Sequence, residues 1–269
     1  MSIVLFYYCY ERINKDIMSK TLTSIIIPAY NEEAAIAGTL EELMSSLPMD
    51  TTEIIVVNDG STDNTLKVLQ TIPNIILVNH KKNRGYGSAI KTGCKHASGE
   101  LIAWYDADGQ ARPQDLLAII NTLQTSNSDY CIGIRGKDSH IDKTRVLGKT
   151  ILKLVVNFVS REPVADFNSG LRVFKRDVLL RYIPLLPDRF GASTFTTLLM
   201  SEEGYLGTEC SIVSRQRIGK SSVKQIRDGM YTLYLILNIL LLFRPMQVFG
   251  TLGLSSIFIG VFYGLYVSD

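Results

Sequence analysis

Between residues 22 and 105, short β-branched runs alternate with stretches whose apolar positions recur at helical spacing. The runs are Thr23 to Ile27, Glu53 to Asn58, Asn74 to Asn79 and Leu101 to Tyr105. Between the first two, Glu32 to Leu47 carries Ile36, Leu40, Leu43 and Leu47 at spacings of four, three and four, which form one face of a helix. Thr62 to Leu69 and Ser88 to His96 supply the next two helices. Strand and helix in alternation predict an α/β domain with a mostly parallel sheet built from βαβ units. Such sheets bind ligands beyond the carboxyl ends of their strands. The polar residues lie there: Pro28-Ala-Tyr-Asn-Glu32 after the first run, Asn58-Asp-Gly-Ser-Thr-Asp63 after the second and Asp106-Ala-Asp-Gly-Gln110 after the fourth.

The pattern changes in the last forty residues. Met246 to Val267 contains 22 residues without a charge, and a helix rising about 1.5 Å per residue then covers a hydrocarbon core of about 30 Å. One spanning helix is expected at 246–267. Gly250, Gly253, Gly260 and Gly264, with Ser255 and Ser256, suit close packing in lipid. Met230 to Phe243 is also uncharged, but at 14 residues it is too short to span easily. It is closed by Arg244-Pro245 and preceded by Arg215, Arg217, Lys220, Lys224 and Arg227, which predicts a juxtamembrane interfacial helix at 226–245. The same positive charge places the large domain, 22–225, on the cytoplasmic face of a membrane. Ile3 to Tyr10 is apolar over only eight residues and reads as neither a span nor a signal peptide. Residues 1–21 are accordingly taken as an N-terminal extension.

Composition sharpens this division. Of the 54 charged residues (28 Lys and Arg plus 26 Asp and Glu), only Arg244 and Asp269 lie beyond residue 229. The net charge of +2 argues against a dedicated nucleic-acid binder, and the apolar content argues against disorder. Cys9, Cys94, Cys131 and Cys210 form no CxxC pair and read as small buried hydrophobes in a reducing compartment.

The chemistry concentrates at the fourth strand end. Asp106 and Asp108 put two carboxylates near one point, where a divalent cation relieves their repulsion. An oxygen-ligand site of this kind suits Mg²⁺ or Mn²⁺ carrying phosphate oxygens. Neither GxxxxGK[ST] nor GxGxxG occurs, which removes the main signals of a P-loop NTPase and a dinucleotide enzyme.

In order, SIIIPAYNE (24–32), IIVVNDGSTDNT (54–65), NRGYGSAI (83–90), WYDADGQ (104–110), GIRG (133–136), DFNSGLRVF (166–174) and RIGKSSVK (217–224) resemble the family 2 inverting glycosyltransferases. The branch they are most similar to is the dolichol-phosphate-mannose-synthase-like one, which glycosylates polyprenyl phosphates. FRPMQVFG (243–250) is similar to that branch's membrane entry. The resemblance implies a Rossmann-like GT-A domain over 22–225. It places Pro28, Tyr30 and Glu32 around the nucleotide, and Val57 and Asp59 at the base and ribose. Asp106, Ala107, Asp108 and Gln110 fall at the metal and diphosphate, and Arg135 in the sugar-nucleotide pocket. Arg217 with Lys220 or Lys224 belongs to a segment closing over phosphate, and Asn168, Ser169 and Arg172 to the acceptor and sugar side. Asn58 stands where the family usually has an aspartate.

The reaction implied moves a hexose, with inversion, from a nucleoside-diphosphate sugar of the GDP-mannose or UDP-glucose type to dolichyl or undecaprenyl phosphate. Asp106, Asp108, Arg135 and Arg217 are the expected catalytic residues. Ser193 to Thr197, where many relatives carry an acid, has none. A phosphate acceptor is already an anion and needs no base, although Glu202, Glu203 and Glu209 lie nearby in sequence. Two other readings stay open: transfer to a glycan hydroxyl in polysaccharide synthesis, and a non-catalytic membrane module. Homo-oligomerisation is likewise left open.

Overall fold

A computed structural model describes residues 22–136, 165–219 and 225–268, together with Ser139, Thr150, Leu152 and Val156. The N-terminal extension, Lys220 and Lys224 lie outside these residues. The described strands are β1 (Thr23–Ala29), β2 (Thr52–Asn58), β3 (Ile76–Asn79), β4 (Leu101–Trp104), β5 (Tyr130–Arg135), β6 (Arg172–Lys175) and β7 (Gly207–Ile212). The helices are α1 (Ile36–Ser46), α2 (Thr65–Leu69), α3 (Tyr86–His96), α4 (Pro113–Thr125), α5 (Arg176–Tyr182), α6 (Ala192–Glu202), α7 (Gln225–Phe243) and α8 (Pro245–Ser268).

The expected parallel sheet is present, in the order β3-β2-β1-β4-β6-β5-β7. β6 alone among these strands runs antiparallel, to both β4 and β5. The first four strands begin and end within two residues of the apolar runs. β5, β6 and β7 are additions that the periodicity did not mark.

Successive strand residues face opposite sides of a sheet, and both sides here are apolar. Ile25, Ile27, Ile54 and Val56 pack under α1 and α4 through Leu40, Leu43, Leu116 and Ile119. Ile26, Ile55, Val57 and Trp104 pack on the other side under α3 and α5 through Ile90, Cys94, Val178 and Leu179. Cys94 and Cys131 are buried as expected of small hydrophobes.

α7 carries two opposed apolar faces. Leu235, Ile236 and Ile239 are buried against Phe195, Leu198 and Leu199 of α6. Met230, Tyr234, Leu237 and Leu241, spaced four, three and four apart, are exposed on the opposite side. The corner between α7 and α8 is tied down by Arg244, whose Nε and Nη2 donate to Glu202 at 3.1 and 2.7 Å. α8 contains a stretch, Val248–Val267, long and apolar enough to cross a membrane, and none of it is buried in the protein.

Candidate active site

The carboxyl ends of β1, β2 and β4 open on one crevice, and β6, running the opposite way, begins beside it. Asp106 and Asp108 follow β4. Burial, and then the charge of Asp108, push the Asp106 carboxyl up to about 6, while burial also raises Asp108. In both, burial is the leading cause and the positive charge of Arg217 works against it.

Arg217 enters this crevice from the segment after β7. Its Nη1 donates to Asp108 Oδ2 at 2.7 Å and its Nη2 to Glu32 Oε1. Burial pushes Glu32 up to about 7 despite this arginine, with Asp108 adding repulsion. Glu32 Oε2 and Arg217 Nε are buried and lack hydrogen-bond partners. The segment is fastened across the strand ends by backbone bonds from Ile218 N to Asp108 O, 3.0 Å, and from Arg215 N to Gln110 O, 2.9 Å. Arg215 forms a two-pronged pair with Glu42 at 2.9 and 2.7 Å. Two of the positive charges that the sequence assigned to the membrane approach therefore turn back onto the domain.

Arg135, at the end of β5, is held by Asp166 through bonds of 2.6 and 2.7 Å. A guanidinium fixed in this forked geometry leaves its remaining donors aimed in a set direction. The donor set at the crevice fits a divalent cation: two adjacent carboxylates raised chiefly by burial, beside buried polar atoms with unused bonding capacity. Among the described residues no cluster of three His, Cys, Asp or Glu surrounds such an ion, so Asp106 and Asp108 would share it with non-protein oxygens.

The family model described as "Glycosyl transferase family 2" matches residues 24–183, which include both aspartates and the three strand-end loops. The chain belongs to glycosyl transferase family 2. A dolichyl-phosphate beta-glucosyltransferase from Trichomonas vaginalis is 32% identical over 181 residues, covering 59% of this chain and 53% of the relative. The chain thus spans about half the length of that relative. A UDP-N-acetylglucosamine–dolichyl-phosphate N-acetylglucosaminyltransferase from Methanococcus voltae is 31% identical over 185 residues, covering 60% of this chain and 72% of the relative. Among solved structures, glucosyl-3-phosphoglycerate synthase from Mycobacterium tuberculosis, in complex with Mn²⁺, UDP-glucose and phosphoglyceric acid, superposes with a TM-score of 0.70. At 16% identity over 84% of this chain and 82% of that one, it shares the fold.

Within this family 2 domain the expected site residues separate into two groups. Pro28, Tyr30, Glu32, Asp106, Asp108, Arg135 and Arg217 sit at strand ends or reach into the crevice. Most of the other described ones are buried or bonded within the protein. Val57 is fully buried in the core under α3. Asp59 is buried and accepts from Arg84 N, Gly85 N and His80 Nδ1 at 2.9, 2.8 and 2.6 Å. Ala107 is buried and its carbonyl accepts from Thr39, while Gln110 Nε2 is bonded to the Arg215 carbonyl at 3.1 Å. Asn168 is half-buried and Ser169 buried. Arg172 is completely buried, with bonds to Ser169, Ser193, Thr196 and Thr197. Asn58 is buried too, its amide donating to Asn79 at 2.5 Å.

Sequence reasoning missed Tyr86, His80, Asp166 and Gly170. Tyr86 Oη donates to Asp106 Oδ1 at 3.1 Å. Tyr86, Asp166 and Gly170 lie inside the motifs already quoted, so the signal was present without a role attached. His80 stands alone in sequence, and only the fold brings it to Asp59.

Proposed function

We propose that this chain transfers a hexose from a nucleoside-diphosphate sugar to a polyprenyl phosphate at the cytoplasmic face of a membrane. The observation that carries this reading is the meeting of Asp106 and Asp108 with Arg217 and Arg135 at one strand-end crevice, in a chain with a candidate spanning helix. Both relatives above are named for transfer to dolichyl phosphate, and the structural neighbour holds Mn²⁺ with UDP-glucose.

Asp106 and Asp108 would hold Mg²⁺ or Mn²⁺, which when bound neutralises charge on the departing diphosphate. Arg217 now balances Asp108 and Glu32 as a cation. Beside a diphosphate, the same guanidinium can turn its donors to phosphate oxygens, and Lys220 or Lys224 follow it in the chain. Arg135, fixed by Asp166, supplies stationary positive charge toward the sugar. Asn168 and Ser169, on the approach to β6, fall on the acceptor side. The exposed stripe of α7 and the whole of α8 would keep this crevice at the lipid surface, where a polyprenyl phosphate presents its head.

The test is direct. Purified full-length protein with Mg²⁺ or Mn²⁺, a panel including GDP-mannose and UDP-glucose, and dolichyl or undecaprenyl phosphate should yield a glycosylated lipid. Asp108→Ala should lower the rate at least about 10²-fold while the protein stays folded, because a charge-stabilising group at the leaving diphosphate is lost. No transfer from any donor would overturn the reading, and near wild-type turnover in the variant would overturn the cation assignment.

A further inference from the structure

Asp106 is gripped on two sides. From α3, the Tyr86 hydroxyl donates to Oδ1 at 3.1 Å. From the approach to β6, Gly170 comes so close that a Cβ added there would lie 2.1 Å from Oδ2. With Tyr86 bonded to one oxygen and Gly170 pressed against the other, the carboxylate has little room to rotate.

Each grip has its own backing. Tyr86 is the first residue of α3, and the turn before it is fixed by Asp59, whose two oxygens accept from Arg84 N and Gly85 N. His80 clamps the same carboxylate at 2.6 Å and reaches Thr92 of α3 through Nε2 at 2.9 Å. Gly85 has a φ of +103°, and a Cβ there would strike the Asp188 carbonyl at 2.5 Å, so the turn admits no side chain. On the opposite side, the Ser169 carbonyl accepts from Arg172 Nε at 3.0 Å and also from Nη2. Arg172 Nη1 is bonded to Ser193 O, Thr196 and Thr197 of α6 at 2.8, 3.0 and 3.2 Å. The guanidinium also lies 5.5 Å from the centre of the Trp104 ring. A fully buried arginine thus fixes the residue preceding Gly170.

We propose that Tyr86 and Gly170 are positioning residues, which hold the Asp106 carboxylate in the orientation a divalent cation requires, backed by the His80–Asp59 pair and by Arg172. This rests on the reading of Asp106 and Asp108 as cation ligands. The physical basis is that a ligand whose rotation is already arrested gives up less freedom when the ion binds, which is why partners of metal-ligating carboxylates matter to affinity. Neither residue would touch the ion or the sugar.

Full-length protein in detergent is titrated with Mn²⁺ in the presence of UDP or GDP, with free Mn²⁺ followed by electron paramagnetic resonance and folding followed by thermal melting. Tyr86→Phe removes one hydroxyl and keeps the ring, so its melting temperature should stay near wild type while Mn²⁺ binding weakens about 10-fold. Gly170→Ala drives a methyl group into the carboxylate and should weaken binding at least as much. If it fails to fold, Tyr86→Phe decides. Wild-type affinity in folded Tyr86→Phe, or a lowered melting temperature with affinity unchanged, would overturn the positioning role and leave the cation reading standing. Absence of Mn²⁺ binding by the wild type with both nucleotides would overturn the two together.

Discussion

Glu32 shows how one residue can be legible in sequence and still acquire its main property from the fold. Its place after β1 marks it for the crevice, but its raised pKa comes first from burial, which no local pattern reports. The sign of the consequence is fixed. A carboxyl whose folded pKa lies near 7 binds its proton more tightly in the folded than in the unfolded chain, where the value is 4.5. Its contribution to stability therefore declines as pH rises through that window. Glu32→Gln removes the titrating group, so melting temperature should depend less steeply on pH between 4.5 and 7 than in wild type. Melting curves at several pH values check this, and an unchanged slope would count against it. Val57 and Asp59 show the reverse. Their motif position pointed to the nucleotide, yet the side chains face a core and a buried hydrogen-bond cluster. Position along a strand is local information; partners 21 to 26 residues away are not.

At the level of elements, the first four strands and the helices between them were readable because β-branched runs alternate there with apolar positions at helical spacing. β5, β6 and β7 were not. β6 has four residues and includes an arginine that is fully buried only because α6 supplies carbonyl and hydroxyl partners. β7 alternates exposed and half-buried positions and carries a glutamate. α7 was read as an apolar stretch destined for a membrane surface, and half of that apolarity belongs to the domain. Ile236 is almost completely buried in the contact with α6. Ile236→Ala should cost about 2–5 kcal/mol, whereas Leu237→Ala, on the exposed stripe, should change the stability of detergent-solubilised protein by no more than about 0.5 kcal/mol. Denaturant unfolding of the two variants separates the faces, and equal losses would contradict the assignment.

For the whole molecule, packing continues past the point at which charge and hydropathy separate the folded domain from the candidate spanning helix. Charge and hydropathy divide the chain near residue 226, but packing divides it after the Arg244–Glu202 pair. A chain ending at residue 244 retains the α6–α7 contact and should remain folded without a candidate span. A chain ending at 225 exposes Phe195, Leu198 and Leu199 and should aggregate or melt several degrees lower, since losing such a contact removes a few kcal/mol from a margin of about 5–15. Size-exclusion chromatography and melting of the two truncations provide the measurement. Equal behaviour would place the boundary back at 226.

The reversal of β6 has a consequence for how such a molecule can change. Because β6 opposes β5, the connection between Arg135 and Arg172 departs from the rim of the crevice and returns to that same rim. Lengthening or replacing it does not require the sheet to be rethreaded, and the loops after β1, β2 and β4 keep their own anchors. The length of that connection can therefore vary, by insertion or recombination, without altering the order of the strands that carry Asp106, Asp108 and Arg135.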